Sequence, residues 1–248
     1  MRSTGEHEGA TKRRGRGRRE RGPARAGVVT TLRDIVMTIV VAIIISALLK
    51  TFLIQSFVIP SESMRDTLEV RDRILVSKLV PAHSALNRGD IIVFEDHENW
   101  LPAELRPQPT SSPVLRFLTL VGLRPDDSSG YLAKRVIGLP GDTVECCDSA
   151  GRVSVNGQPI DETYLRSGVA PSETTFAVTV PEGKLWVMGD NRPFSLDSRA
   201  HRDEEGRGFI AIDDVVGRAF VIVWPLERWT RLSHTDVFDR VPDPASQQ

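Results

Sequence analysis

The longest apolar run in the chain, Ile35 to Leu49 (IVMTIVVAIIISALL), holds fifteen residues without a charge. Lys50 interrupts it, and Thr51 to Ile59 adds nine more uncharged residues. A membrane-spanning helix needs about 20 mostly apolar residues. The run from 35 to 54 supplies them if Lys50 lies near one end and its stem snorkels to the headgroups. An amphipathic helix buried in a soluble core would carry polar residues every three or four positions, and this stretch carries only Thr38 and Ser46. A cleaved secretory signal has the same basic-then-apolar grammar. Here the apolar run continues into KTFLIQSFVIP without a small-x-small site, so the pattern predicts an uncleaved anchor. No second span follows: FVIVW (220–224) is of strand length and runs into Pro225.

Beyond the anchor the pattern changes to short β-branched runs. They are DRILVSKL (72–79), GDIIVF (89–94), KRVIGLPGDTVEC (134–146), GRVSVNGQPI (151–160), FAVTV (176–180), KLWVMGD (184–190) and VVGRAFVIVW (215–224). Asn156-Gly157 between two of these runs is a type I′ hairpin signal. One short helical segment is suggested around Val114 to Val121, with linkers at 95–112, 125–131 and 200–207. The fold expected is mostly β, an antiparallel β body with one N-terminal transmembrane helix.

Charge sharpens this division. The 248 residues hold 32 Lys and Arg against 33 Asp and Glu, a near-neutral total. Residues 1–34 nevertheless carry ten basic and four acidic side chains, leaving an acidic remainder. The positive-inside rule then keeps the N-terminus cytoplasmic and puts the body outside a plasma membrane, in a single pass. The Gly- and Arg-rich tail has no apolar periodicity and is expected to be disordered, a topology signal that also meets anionic lipid. A nucleic-acid partner is not expected, because the body has the wrong sign. Two cysteines exclude a disulfide-stapled miniprotein. They are adjacent, Cys146-Cys147, and strand alternation would point them to opposite faces, which favours two thiols over a vicinal disulfide.

Conventional hydrolase motifs are missing: there is no HExxH, no G-x-S-x-G and no phosphate loop. No metal site and no cofactor are expected. The five histidines (His7, His83, His97, His201, His234) lie in polar, loop-like contexts that predict solvation. His97 in EDHE is a conceivable base, but nothing near it marks a nucleophile. The sharper signal follows the anchor: Pro60-Ser61-Glu62-Ser63-Met64. In an extended segment the two serines share a face, so one can attack while the other donates to an oxyanion. A serine nucleophile needs a base, and without a histidine that base is a lysine whose pKa burial has lowered. Lys134, flanked by Leu132, Ala133, Val136 and Ile137, is the candidate.

Four blocks in order, PSESMRDTL (60–68), GDIIVF (89–94), KRVIGLPGD (134–142) and GDNRPFSLDSR (189–199), resemble the bacterial type I signal (leader) peptidases over residues 30 to 225. The long connection at 95–133 looks like that of actinobacterial members. The resemblance implies a membrane-anchored serine endopeptidase with a Ser–Lys dyad, cutting translocated preproteins after Ala-x-Ala. Its partners would be secretory preproteins emerging from the translocation machinery and the phospholipid bilayer. It implies Ser63 as nucleophile and Lys134 as general base. The Ser63 N–H and the Ser61 hydroxyl would form the oxyanion hole, and Ser195 would hydrogen-bond the Lys134 amine. Arg135 with Asp190 and Asp197 with Arg199 would be flanking ion pairs. Phe57, Ile59 and Ala133 would wall shallow pockets for small P1 and P3 residues. The implied domains are a tail at 1–34, the anchor at 35–54, a protease domain at 55–230 with a smaller β insertion at 143–188, and a C-terminal tail at 231–248. The chain departs from the family pattern at Asp66, where proline is common, at Arg71, where glycine is usual, and at Ala133, which is small. The first two bear on turn geometry, the third on pocket volume. A catalytically inactive anchored relative acting as a scaffold is the alternative, and the presence of Ser61, Ser63, Lys134 and Ser195 argues against it. Trp224 and Trp229 in WPLERW are candidates to dip into the membrane interface, unless Trp224 caps the core.

Overall fold

The structure, a computed structural model, describes residues 24–82, 85–101, 112, 114, 130–233 and 236–244. The helix expected around Val114 to Val121 beyond Val114 itself, most of the linkers at 95–112 and 125–131, and His7, His83 and His234 lie outside the described residues.

Helix α1 runs from Ala24 to Phe52. Its stretch Thr31–Leu48 is long and apolar enough to cross a membrane. Leu32, Ile35, Met37, Ile44 and Leu48 are all exposed along it. A helix apolar all round has no face reserved for water. The helix begins earlier than expected: residues 24–34, read from sequence as part of a disordered tail, are helical. Elongating an existing helix fixes few residues per hydrogen bond, so a strong apolar nucleus carries the weaker ARAGVVTT before it.

The body is antiparallel throughout. Its larger sheet contains β1 (Ile54–Val58), β2 (Arg73–Ser77), β3 (Ile91–Glu95) and β4 (Tyr131–Gly138). The smaller contains β5 (Thr143–Cys146), β6 (Val153–Val155), β7 (Gln158–Pro159) and β8 (Phe176–Thr179). The chain then returns to the larger sheet with β9 (Lys184–Met188), β10 (Ile210–Ala211), β11 (Val215–Trp224) and β12 (Thr230–Arg231). The larger sheet is ordered β1-β2-β11-β3-β4-β9-β10, with β12 on β11; the smaller is ordered β7-β6-β5-β8. The inserted sheet is thus shorter than the 143–188 expected, because β9 pairs with β4, Arg135 opposite Met188. Asn156 and Gly157 both have positive φ and join β6 to β7, as the hairpin signal predicts.

Three apolar clusters fill the body. One gathers Phe57, Ile59, Met64, Leu68, Ile74 and Val76 with Ile91 and Val93; a second, Ile92, Phe94, Val136 and Val187. The third lies around the smaller sheet, with Val144, Val153, Val155 and Trp186. The C-terminal segment packs on this third cluster through Phe238 and Val241. Asp142 closes the LPGD turn: its buried carboxylate takes both Arg88 Nε and Nη2 at 2.7 Å, the Leu139 amide at 2.7 Å and Asn156 Nδ2 at 2.9 Å.

Two sequence expectations are corrected. Cys146 and Cys147 are joined in a disulfide, not held as separate thiols. Strand β5 ends at Cys146, so strand alternation does not extend to Cys147. His201 is not solvated: it is buried, stacks on Trp100 at 4.5 Å and shares a 2.9 Å Nδ1 contact with Glu204.

Candidate active site

Lys134 sits on β4, flanked by β3 and β9, opposite Ile92. A central strand is covered on both edges, and the side chain is only 1% exposed. Its amine donates to Ser63 Oγ at 2.6 Å. Burial pushes the lysine pKa down from 10.5 to about 8; Asp197 raises it, Arg199 lowers it, and Asp190 raises it to a lesser extent.

The Ser63 segment is not the extended strand that the serine spacing suggested. β1 ends at Val58, and alternation of buried residues stops at Ile59. Residues 61–67 form a bend and turn, with Arg65 N–H to Glu62 O at 3.0 Å and Leu68 N–H to Met64 O at 2.7 Å. Met64 and Leu68 drop into the core and root the turn. Ser61 Oγ still lies 3.3 Å from Ser63 Oγ, though by turn geometry rather than strand periodicity. Asp66 has φ 78 and Arg71 φ 75. The ring of a proline would forbid the first, and a glycine would relax the second.

From the other side the GDN segment clasps this turn. Asn191 donates its amide to Ser63 O at 3.0 Å and its Nδ2 to Glu62 O at 2.9 Å. Gly189 is needed there: a Cβ on it would lie 2.4 Å from Ser63 O and 2.2 Å from Ser195 Oγ. Asp190 accepts Arg135 Nε at 2.8 Å and Nη2 at 2.6 Å, and Thr67 Oγ1 at 2.5 Å. Asp197 accepts Arg199 Nε at 2.9 Å and Nη2 at 2.8 Å, and the Gly189 amide at 2.9 Å. Burial alone would raise the Asp197 pKa, but Arg199 and the amide hold it below the usual carboxylate range.

The family resemblance implies a hydrogen bond from Ser195 to the lysine amine, and here the arrangement differs. Its Oγ is buried without a hydrogen-bond partner among the described residues and lies against Gly189. Ser195 follows the 3-10 turn Arg192–Phe194 in extended conformation, which turns the hydroxyl toward that glycine. Phe57 and Ile59 are 2% and 4% exposed, so they belong to the core cluster; Ala133 beside them is half-buried. His97, the other base considered, is exposed and held by Asp214 at 2.7 Å and Glu95 at 3.2 Å. Asn191, Thr67 and Gly189 were not singled out from the sequence, although all three lie within the motif blocks.

Chemically, the site offers a hydroxyl touching an amine that can be neutral near pH 8, a second hydroxyl beside it, and two buried ion pairs that hold the frame. The family model described as "Signal peptidase, peptidase S26" matches residues 32–224. A "Probable signal peptidase I" of Mycobacterium leprae is 36% identical over 232 residues, covering 81% of this chain and 78% of the relative. "Signal peptidase I" of Mycobacterium tuberculosis is also 36% identical, over 81% of this chain and 75% of the relative. "Signal peptidase I" of Leptolyngbya laminosa is 38% identical over 68% of each chain.

Proposed function

The chain belongs to the signal peptidase family, peptidase S26, and from that premise we propose that it removes signal peptides with Ser63 as nucleophile and Lys134 as general base. The 2.6 Å contact between Lys134 Nζ and Ser63 Oγ, made by a fully buried lysine, carries this reading. Neutral Lys134 accepts the Ser63 proton as Oγ attacks the scissile carbonyl. The oxyanion is received by the Ser63 N–H and the Ser61 hydroxyl, and such a donor is worth about 10²–10³ in rate. The resulting ammonium protonates the departing amine and leaves an acyl-enzyme. Lys134, neutral again, then takes a proton from water, which hydrolyses the ester and frees Ser63.

The substrate proposed is a translocated preprotein cut after Ala-x-Ala. Phe57 and Ile59 are packed into the core and can offer only a shallow apolar floor, which suits alanine. Ala133, small beside them, leaves somewhat more room there. We further propose that α1 anchors the protein in the plasma membrane in a single pass, with the basic N-terminus cytoplasmic. Only about nine residues separate the apolar run from Ser63, so at roughly 3.5 Å per residue the chain keeps the nucleophile within reach of the outer membrane face. Anchoring also raises the effective concentration of a membrane-held substrate.

The test is cleavage of an Ala-x-Ala preprotein by the full-length enzyme in detergent, with N-terminal sequencing of the product. Ser63→Ala and Lys134→Arg are expected to be inactive, the latter because guanidinium keeps its proton. Residual turnover in either variant above roughly a thousandth of wild type overturns the dyad.

A further inference from the structure

The mechanism above leaves one buried charge network unused. The loop after β7, anchored by Ile160 in the core of the smaller sheet, carries Glu162 and Tyr164. Glu162 and Arg192 pair with side chains only 2% and 1% exposed. Glu162 Oε2 accepts Arg192 Nη1 at 3.0 Å, and its Oε1 accepts both Arg192 Nη2 and, at 2.6 Å, the Tyr164 hydroxyl. Arg192 in turn donates Nε to Gly189 O at 2.9 Å. The Tyr164 ring lies 4.1 Å from the guanidinium carbon of Arg135, whose other partners are Asp190 and, through Nη1 at 2.8 Å, the Gly89 carbonyl. Both arginines that grip residues 189–190 are therefore held from behind by one arm of the smaller sheet.

A buried guanidinium has few alternative places to go, because leaving it unpaired is strongly unfavourable. The arm thus dictates where Arg192 stands and backs Arg135 through the Tyr164 ring. The two arginines fix Gly189 and Asp190, and the adjoining Asn191 binds the Ser63 carbonyl. We propose that Glu162 and Tyr164 are positioning residues, through which the smaller sheet keeps the nucleophile in register with Lys134. The inference rests on the Ser–Lys reading. It gives the inserted sheet a catalytic purpose: it buttresses the site without touching the reacting atoms.

The test uses the full-length enzyme in detergent and compares Tyr164→Leu, Tyr164→Phe and Glu162→Gln with Val153→Ala. Val153 is buried in the same smaller-sheet core and stands outside the network. A displacement of the nucleophile near 1 Å lowers turnover by about 10²-fold. Tyr164→Leu and Glu162→Gln should therefore lose about ten- to a hundredfold in kcat with KM within about twofold of wild type. Tyr164→Phe keeps the ring beneath Arg135 and should lose less than about fivefold. Val153→Ala should lower the melting temperature yet leave kcat unchanged at temperatures where it is folded. The pH midpoint of the acid limb should be the same in all, since Lys134 is untouched. Full kcat in Tyr164→Leu and Glu162→Gln overturns the proposal, as does an equal kcat loss in Val153→Ala. A failure of the dyad itself would register separately, as activity in Lys134→Arg.

Discussion

Replacing Gly189 by alanine tests how tightly Ser63, the proposed nucleophile, is framed. The added Cβ would stand 2.4 Å from Ser63 O, 2.2 Å from Ser195 Oγ and 2.6 Å from Ser195 Cβ, where ordinary contact begins near 3.4 Å. Neither the carbonyl nor Gly189 itself can retreat freely. Ser63 O is tied to the Asn191 amide at 3.0 Å, and Gly189 is tied through its own N–H to Asp197 and its carbonyl to Arg192, both at 2.9 Å. Clearing the carbonyl alone requires a shift of about 1 Å, which lowers turnover by about 10²-fold when it falls on a reacting group. Overpacking of this kind also costs about 1–3 kcal/mol of stability. The assay is steady-state cleavage of a preprotein alongside a thermal melt, read at a temperature where the variant is folded. A second change, Ser195→Gly, removes the two Ser195 contacts but leaves the carbonyl in place, so it should not restore activity. A Gly189→Ala enzyme with kcat within about threefold of wild type would show that the frame does not constrain Ser63.

Further outcomes follow from the same geometry. An unfolded Lys134 keeps its proton to about pH 10.5, while the folded one loses it near 8. Between those values the unfolded state binds more protons, so wild-type stability rises with pH, by about 3 kcal/mol across the window. Lys134→Met should therefore melt higher than wild type at pH 7, with a smaller advantage at pH 10; a pH-independent difference would contradict the buried ammonium. Arg71→Gly relieves φ 75 at an exposed position and should gain about 1 kcal/mol in denaturant unfolding, net of glycine's extra chain entropy; no gain would mean that the conformation carries no penalty. Of the four tryptophans, Trp100 and Trp186 are buried, while Trp224 and Trp229 are 51% and 59% exposed. Brominated lipids should quench the full-length protein in vesicles, and Trp224→Phe with Trp229→Phe should remove the quenched fraction; quenching that survives both changes would refute interfacial contact.

Much of this molecule was legible in one dimension because its signals are local. β-branched runs marked most strands, and Asn156-Gly157 named its turn because positive φ at two successive residues admits few side chains. Lys134 stood out through its apolar neighbours. What escaped notice depends on chain reversal and distant pairing. The closeness of Ser61 and Ser63 comes from a turn rooted by Met64 and Leu68, where alternation had suggested a strand. Strand β9 could not be assigned to the larger sheet without seeing it pair with β4. Glu162 and Tyr164 look like ordinary loop residues until Arg192 and Arg135, distant in sequence, arrive beside them. The burial of His201 is hidden from the sequence for the same reason: its stacking partner, Trp100, is about a hundred positions away.

The central claim is that a neutral, buried Lys134 drives the reaction, and the pH profile of kcat/KM for preprotein cleavage tests it most directly. Burial with Asp197, Arg199 and Asp190 around the amine sets its pKa at about 8. The rate should rise tenfold per pH unit at low pH and level off through a single midpoint near 8. A midpoint near 6.5, the ordinary histidine value, or a rate flat from pH 6 to 9, would contradict that claim.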